Sequence, residues 1–376
     1  MGIGALGHRP QSAGPHVQRR RRIAPRPPQV TDRQRFSAEQ ARLYWAVQAR
    51  AVLLRAIRQF FDRRHFCEVD PPQLATSPGL ELHLDAMRVQ VRTGMGGPMV
   101  ERFLTTSPEY FCKRLLSAGF DRIYVLQHAF RSGEHSQLHN PEFMMLEWYR
   151  ADADWRTIVA DCKALFRHCW RALHVAELAP LWQRPSVQKA FDPDLRWQNL
   201  SVRQALRRWA GFDCEMASDT AVMNRAKQAG IDVRADDTLA DVLMQALVER
   251  VDPRLASMPT VVLAPWPRCL GSLARPVPNH PQRAERFEIY HYGLELANGF
   301  SELTDAPEQR RRFEQDLADR RRLQRPLYPL DERFLAALAS GMPPAAGVAV
   351  GVDRLLMALI GAGDIGEVLP FGFEQA

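Results

Sequence analysis

Residues 130–150, FRSGEHSQLHNPEFMMLEWYR, carry more information about the fold of this chain than any other segment. An apolar run at residues 123–126 precedes it and a second one at 143–149 ends it, which predicts two strands joined by a long polar loop. Arg131 stands where the first strand ends, and an arginine there can present its guanidinium fork to a phosphate group. Together with acidic groups on the next strand, it indicates nucleotide chemistry on a cationic substrate. The alternative is a solvated loop in which arginine–glutamate pairs only hold the hairpin together.

The composition is that of a soluble globular protein. The chain has 376 residues, of which 46% are hydrophobic and 25% charged. No window reaches the length of a membrane span, and no uninterrupted apolar run near the N-terminus indicates a secretory signal. The six cysteines are scattered without a C-x-x-C pair, so they predict reduced thiols in a cytoplasmic protein.

The net charge of +7 is concentrated near the N-terminus, where residues 19–22 are four consecutive arginines. Residues 1–36 are rich in Pro and Arg and contain too few apolar groups to fold alone, so they are predicted to form a disordered basic extension. Such a segment either binds nucleic acid or an acidic protein, or has no function.

Residues 37–376 are predicted to form one domain. Ser37 and Gln40 resemble a capping box at the start of a helix that ends near His65. Residues 83–105 predict a hairpin around a Gly-rich turn, and Ser107 with Pro108 predicts the start of the next helix. Residues 155–173 predict an amphipathic helix. Smaller helices are predicted at about residues 175–260, and they suggest an insertion that covers one side of the site.

Strands surround the chemically active groups, and hairpins join consecutive strands. This pattern favours an α+β fold in which an antiparallel sheet is flanked by helices. The arginine-rich helix at residues 308–322 is predicted to be a solvated face. The chain has no Walker loop and no G-x-G-x-x-G after a strand, so a bound nucleotide must be held in another way.

A second group of polar residues lies near the C-terminus. Glu295 and Glu302 are seven residues apart in a predicted strand, and a bulge at Gly299 would turn both to one side. Two carboxylates near phosphates indicate Mg²⁺, and the alternative is a strand with ordinary surface acids. Arg354 follows Gly351 at a strand-to-helix turn, where it can stack on a base or pair with a phosphate.

Glu109 and Tyr149 are candidate ligands for a substrate ammonium group. A carboxylate supplies the charge, and a phenol supplies a hydrogen bond and a ring face. For Tyr149, packing in the core is the competing interpretation.

Four motifs resemble one family of enzymes. They are TSPEYFCKRLL from residue 106, the stretch 130–150, ERFEIYHYGLELANGFSELTDAPEQRRRFEQD from residue 285, and GVAVGVDRLLM from residue 347. In this order they resemble the catalytic domain of class II lysyl-tRNA synthetases, and more closely the stand-alone elongation factor P lysine ligases. The resemblance covers nearly everything from Ser37 onward. FCEVDPP, residues 66–72, resembles the first motif of the family at its dimer interface and implies a homodimer.

The resemblance implies a role for each matching position. Arg131, Glu295, Glu302 and Arg354 would be catalytic. The amino-acid substrate would contact Ser107, Glu109, Tyr149 and Glu302. ATP would contact Arg131, Gly133, Glu134, Asn140, Glu295, Leu296, Gly351 and Arg354. Some relatives have Glu two residues after the motif arginine, where this chain has Gly133 followed by Glu134.

The resemblance also implies the reaction. The enzyme would use ATP and Mg²⁺ to activate (R)-β-lysine, or lysine, as an adenylate. It would then transfer the acyl group to a lysine ε-amino group of elongation factor P. A lysyl-tRNA synthetase carries an anticodon-reading OB-fold before its catalytic part, and about 36 residues are too few for one, which makes tRNA an unlikely acceptor. The alternatives are a truncated enzyme that acylates tRNA or another amine, and a binding protein without turnover.

Overall fold

The computed structural model describes residues 37–176, 178 and 189–376. The predicted basic extension therefore lies outside the described residues, as do residues 177 and 179–188 of the predicted insertion. The chain divides into two units, Met1–Ala41 and Arg42–Ala376. The described α-helices are α1 (Ala38–Asp62), α2 (Glu109–Ser117), α3 (Trp155–Val175), α4 (Val202–Ala205), α5 (Asp219–Gln228), α6 (Leu239–Ala246), α7 (Asp252–Leu255), α8 (Ala306–Arg322), α9 (Glu332–Ala339) and α10 (Val352–Ile360).

Side-chain caps explain where several helices begin. The predicted capping box of α1 is confirmed, since the Ser37 N–H donates to Gln40 Oε1 (2.9 Å) and the Gln40 N–H donates to Ser37 Oγ (3.2 Å). Asp154 caps α3 by accepting from the Thr157 N–H at 3.0 Å. The predicted start of α2 is wrong by one residue, because Pro108 itself occupies the N-cap and makes no side-chain cap.

The described strands are β1 (Cys67–Glu68), β2 (Leu74–Ala75), β3 (Arg88–Arg92), β4 (Met99–Leu104), β5 (Arg122–Phe130), β6 (Glu142–Ala151), β7 (Gln198–Leu200), β8 (Thr260–Leu263), β9 (Trp266–Pro267), β10 (Pro276–Val277), β11 (His280–Ala284), β12 (Arg286–His291), β13 (Leu294–Ser301) and β14 (Ala345–Gly351). Eight of them form the main sheet in the order β1-β5-β6-β14-β13-β12-β8-β7. The hairpin predicted around the polar stretch is confirmed, with Arg122 opposite Arg150 and Phe130 opposite Glu142.

The interior of the main sheet is antiparallel, and only its outermost pairs, β1 with β5 and β7 with β8, are parallel. The α+β prediction, with a largely antiparallel sheet flanked by helices, is confirmed. Hairpins account for two of the antiparallel pairs, β5 with β6 and β12 with β13, because a short turn connects neighbouring antiparallel strands directly. Longer connections bring β14 between β6 and β13, and β8 beside β12.

Each face of the sheet has its own core. One face packs under α1, α3 and α10, where the buried side chains include Phe61, Trp148 and Leu355. The other face packs against α2 and α9, where Tyr110 stacks on Phe334 with ring centroids 4.7 Å apart. These helices leave part of the second face open, and the cleft described below lies there.

Residues 202–255 fold as helices that follow strand β7, in agreement with the predicted smaller helices. Their own core includes Leu206, Val242 and Leu263. Strand β7 pairs with β8 and so ties this region to the edge of the main sheet. The extent of the predicted insertion, about 175–260, stays a prediction. Among the described helices, none combines the length and the apolar character needed to cross a bilayer.

The prediction that the arginine-rich helix α8 is a solvated face is wrong in part. Arg320 has no exposed surface, and its guanidinium contacts the Asp85 carboxylate at 2.6 Å. The buried positions of α8, Gln309, Phe313 and Arg320, lie on one side of the helix. An arginine therefore takes part in the packed face, where hydrogen bonds to its guanidinium offset the desolvation of its charge.

Candidate active site

A single cleft of about 1090 Å³ lies over the open part of the sheet. Strands β6, β13 and β14 contribute to its floor, and α5, α6 and α8 contribute to its walls. Most of the residues predicted from the sequence line this cleft: Ser107, Glu109, Arg131, Glu134, Asn140, Tyr149, Glu295, Leu296, Gly351 and Arg354. Gly133 and Glu302 are not among the lining residues. The structure thus brings together Arg131, Glu295 and Arg354, whose separation would have refuted a common site.

One part of the cleft, the arginine end, consists of Arg131, Glu134, His139, Glu295 and Arg354. Arg131 follows β5, and its guanidinium lies 5.1 Å from the centre of the Phe143 ring and 3.7 Å from the Glu134 carboxylate. The Arg131 N–H donates to the Pro141 carbonyl at 2.9 Å, which closes the polar loop. The side chain is 24% exposed, so its charge remains available to an anion in the cleft.

Arg354 lies in the first turn of α10, directly after β14. It donates to the carbonyl oxygens of Leu138 and Glu295, each at 3.2 Å, and lies 3.7 Å from the Glu295 carboxylate. It also contacts His139 Nε2 at 2.5 Å. Burial, and then the positive charge of Arg354, lower the pKa of His139, so the imidazole stays neutral and can accept from the guanidinium.

Asn140 and Gly133 belong to the loop between β5 and β6. The Asn140 amide donates to the Glu142 carbonyl at 2.6 Å and accepts from the Phe373 N–H at 3.0 Å, so its orientation is fixed. Gly133 has a φ of 81°, in the left-handed region that glycine adopts without strain. It turns the chain so that Glu134, rather than position 133, extends toward Arg131.

The other part of the cleft, the acid end, is lined by Ser107, Glu109, Glu147 and Tyr149. The name also covers Lys113 and Glu302, which do not line the cleft but are buried in contact with this group. Glu147 lies on β6 and is buried, and its carboxylate accepts from Ser107 Oγ at 2.6 Å and from Tyr149 Oη at 2.8 Å. Burial, and then the nearby charge of Glu109, raise the pKa of Glu147 to about 8. A cation placed beside Glu147 would favour its ionised form.

Lys113 connects two further acids at this end. Its ammonium lies 2.5 Å from Glu109 and 2.6 Å from Glu302, and the side chains of Lys113 and Glu302 have no exposed surface. Burial alone would lower the pKa of Lys113, but Glu109 and Glu302 outweigh it, so the pKa is raised and the lysine stays charged. Burial raises the pKa of Glu302, against the opposing effect of Lys113.

The bulge predicted at Gly299 lies elsewhere in β13. Gly299 pairs regularly with Phe287, whereas the register shifts between Ile289, opposite Ala297, and Tyr290, opposite Glu295. Leu296 and Ala297 are therefore the bulged pair, and both are buried in the same core. The shift places Glu295 and Glu302 on the same face of the strand, which is the effect that the sequence predicted for a bulge.

The fit of a metal ion to these two carboxylates is partial. The Glu295 side chain is 40% exposed at the cleft, whereas Glu302 contacts Lys113 in the interior. No group of three or more His, Cys, Asp or Glu side chains suited to a metal ion occurs in residues 37–176, 178 and 189–376. The donor set fits Mg²⁺ held by Glu295 with phosphate oxygens of a nucleotide, and Glu302 would join only after releasing Lys113.

Sequence reasoning missed Glu147 and Lys113. Both leave a signal, because Glu147 is two residues before Tyr149 on a strand and so shares its face. Lys113 is four residues after Glu109 on a helix, which makes the two side chains neighbours. Ser107 was predicted to cap α2, but its hydroxyl accepts from the Glu109 N–H (3.1 Å) while donating to Glu147.

Comparison with known proteins assigns this chain to a family. Residues 32–375 match the family described as tRNA synthetases class II (D, K and N). Proteins named elongation factor P–(R)-β-lysine ligase from Avibacterium paragallinarum and Edwardsiella ictaluri are 36% and 38% identical to the chain. Each alignment covers 87% of this chain, and 95% and 94% of those ligases. The chain therefore belongs to the class II tRNA synthetase family and, within it, to the family of the elongation factor P–(R)-β-lysine ligases.

Proposed function

We propose that this chain activates (R)-β-lysine, or lysine, with ATP and transfers the acyl group to a lysine ε-amino group of elongation factor P. The observation that carries this proposal is one continuous cleft that joins the arginine end to the acid end. A triphosphate suits two partly exposed arginines, and a diamino acid suits several buried carboxylates. The names of the full-length relatives supply the identity of the amino acid and of the acceptor.

At the acid end, Glu147 is the proposed ligand of one substrate ammonium group. Its carboxylate already accepts from Ser107 and Tyr149, so it is oriented before the substrate arrives. A hydrogen bond to a charged group is stronger than one between neutral groups. Glu109 and Glu302 share Lys113, which keeps these two buried charges balanced around the substrate.

At the arginine end, the proposed chemistry is transfer of an adenylyl group. An oxygen of the substrate carboxylate attacks the α-phosphorus of ATP, the bond to the β-phosphate oxygen breaks, and pyrophosphate leaves. Arg131 and Arg354 stabilise the negative charge that develops on the phosphate oxygens, and Asn140, Leu296 and Gly351 line the space for the nucleotide. Bound Mg²⁺ would neutralise phosphate charge beside Glu295. This step requires positioning and charge stabilisation but no protein nucleophile.

The second proposed step consumes the mixed anhydride. The unprotonated ε-amine of the acceptor lysine attacks the acyl carbon, an amide bond forms, and AMP leaves with the electrons of the broken C–O bond. The nitrogen loses one proton to solvent. We propose elongation factor P as the partner, a cytoplasmic location, and a homodimer, which the FCEVDPP motif supports. We propose no role for tRNA.

The test has two stages. ATP–pyrophosphate exchange with (R)-β-lysine and with α-lysine reports activation, and mass spectrometry of purified elongation factor P reports transfer. We expect exchange and a mass increase of one lysyl group on the factor. Arg131→Ala and Glu302→Ala should abolish both. Arg234→Ala, at an arginine whose side chain is 75% exposed, is the control that should retain them.

Each contrary outcome is informative. Absence of exchange with either amino acid would indicate a binding protein without turnover. Exchange followed by acylation of tRNA, and not of the factor, would indicate a truncated synthetase. Full activity in both Arg131→Ala and Glu302→Ala would refute the site.

A further inference from the structure

Glu81 is a carboxylate in the cleft that the proposed mechanism does not use. It lies between β2 and β3, lines the cleft, and retains partial exposure as a residue. Its Oε2 is buried, however, and has no hydrogen-bond partner among the described residues. A buried acceptor without a donor is unfavourable unless a ligand supplies one.

The backbone at Gly79 is shaped to admit this carboxylate. Gly79 has a φ of 119°, and a Cβ built on it would lie 2.5 Å from Glu81 Oε2. Any side chain at position 79 would therefore displace the carboxylate. The fold thus places the Glu81 carboxylate in a tight position where water solvates its charge poorly.

The buried side chain of Arg320 fixes the backbone of the segment that carries Glu81. The buried Arg320 donates to the carbonyl oxygens of Glu81 (2.7 Å), Leu82 (3.3 Å) and Leu84 (3.1 Å), and to the Asp85 carboxylate (2.6 Å). A fixed backbone limits the freedom that Glu81 would lose when it binds a ligand.

The same segment connects Glu81 to the arginine end. The Ser132 N–H donates to the Asp85 carbonyl at 2.7 Å, so the residue after Arg131 is fastened to the Glu81 segment. Burial, and then the charge of Glu109, raise the pKa of Glu81, whereas a hydrogen bond from its own backbone N–H, and then Arg131 and Lys113, act in the opposite direction. Burial, and then Glu81, raise the pKa of Asp316 to about 7. The acids crowded here make a cation the complementary ligand.

We propose that Glu81 determines substrate specificity by binding the amine of the diamino acid that lies nearer its carboxylate. This inference rests on the proposed function, in which the carboxylate reacts beside Arg131. An ammonium at Glu81 is then close to the reacting end, while Glu147 binds the distal ammonium. The position of the nearer amine is the chemical difference between α-lysine and β-lysine, so Glu81 acts where the two substrates differ.

The test compares Glu81→Gln with the wild-type enzyme in ATP–pyrophosphate exchange. KM for (R)-β-lysine should rise about 10- to 100-fold, as expected when a charged hydrogen-bond partner becomes neutral. KM for ATP should stay unchanged. 6-Aminohexanoate, which lacks the amine near the carboxylate, serves as a competitive inhibitor, and its inhibition constant should not change. Glu81→Asp should bind (R)-β-lysine more tightly than Glu81→Gln does. Its inhibition constant for 6-aminohexanoate should equal that of the wild-type enzyme.

Glu101→Gln is the matched control, since Glu101 lies on β4 with its side chain 42% exposed and is not among the cleft-lining residues. If Glu81→Gln weakens both ligands equally, or neither, the specificity role is refuted. If Glu81→Gln does not fold, Glu81→Asp replaces it in the same comparison. The specificity role then requires that Glu81→Asp weakens binding of (R)-β-lysine more than binding of 6-aminohexanoate. Wild-type enzyme without exchange activity would refute the proposed function instead, so the two failures are distinguishable.

Discussion

At the acid end of the cleft, Lys113 and Glu302 have no exposed side-chain surface, whereas at the arginine end Arg131 and Arg354 keep 24% and 21% of theirs. The acid end holds its charges in a medium of low polarity, where each must be matched by a partner. The arginine end keeps its charges partly exposed to water, and its ion pairs, at 3.7 Å, are longer than those of Lys113. Selection of a small diamino acid needs the first arrangement, and a triphosphate that must enter, react and leave is served by the second.

Loss of Lys113 should have the largest effect at the acid end. Lys113→Met leaves Glu109 and Glu302 without their shared cation, and removal of one partner from a buried ion pair costs about 3–5 kcal/mol. We expect urea unfolding to show a loss of stability of that size. Arg234→Met removes a cation from an exposed pair with Asp232, and should change stability by less than about 1 kcal/mol. Equal effects of the two substitutions would contradict the contrast between buried and exposed charges.

The pH dependence of substrate capture should reveal Glu147. The free enzyme holds the pKa of Glu147 at about 8, and only the ionised carboxylate attracts an ammonium group. Therefore kcat/KM for the amino acid should fall about tenfold for each pH unit below that pKa. Glu147→Gln should lower kcat/KM and remove this limb of the profile. A profile that is unchanged in shape would show that another group titrates.

The same shift predicts the direction in which stability changes. Between the ordinary value of 4.5 and about 8, the native state keeps a proton on Glu147 that the unfolded chain releases. The free energy of unfolding should therefore fall as pH rises across this window. The fall should be smaller in Glu147→Gln than in the wild type. Because both proteins retain Glu302, the difference between them measures the contribution of Glu147 alone.

The difference between the two ends also explains what the sequence could predict. Arg131, Glu295 and Arg354 lie at strand ends or strand-to-helix turns, where local pattern marks both the element and the exposed functional group. The hairpin of β5 and β6 and the passage from β14 to α10 were predicted for the same reason. The resemblance of four long motifs then implied their roles.

The missed parts of the site depend on contacts between distant segments. Glu147 stands alone in an apolar strand, and its burial follows only when α2 packs across the sheet. Glu81 has no periodic signal, and its segment is fixed by Arg320, which lies 239 residues later in the chain. Arg320 itself resembled a surface group, because its buried face on α8 is shared with only Gln309 and Phe313. The bulge was misplaced because glycine favoured position 299, whereas sheet register put it at Leu296 and Ala297.

The smallest expected effect is a difference between the two ends of the cleft in how strongly salt weakens substrate binding. At about 0.1 M ionic strength charges interact over about 10 Å, and at 1 M over about 3 Å, but screening acts mainly on charges exposed to solvent. KM for ATP should therefore rise a few-fold between low and high KCl at constant Mg²⁺, because Arg131 and Arg354 are partly exposed. KM for (R)-β-lysine should change less, because Glu147 and its partners are buried. Exchange rates measured over the same salt series give both constants, and an equal rise in the two would mean that the acid end opens to solvent before the amino acid binds.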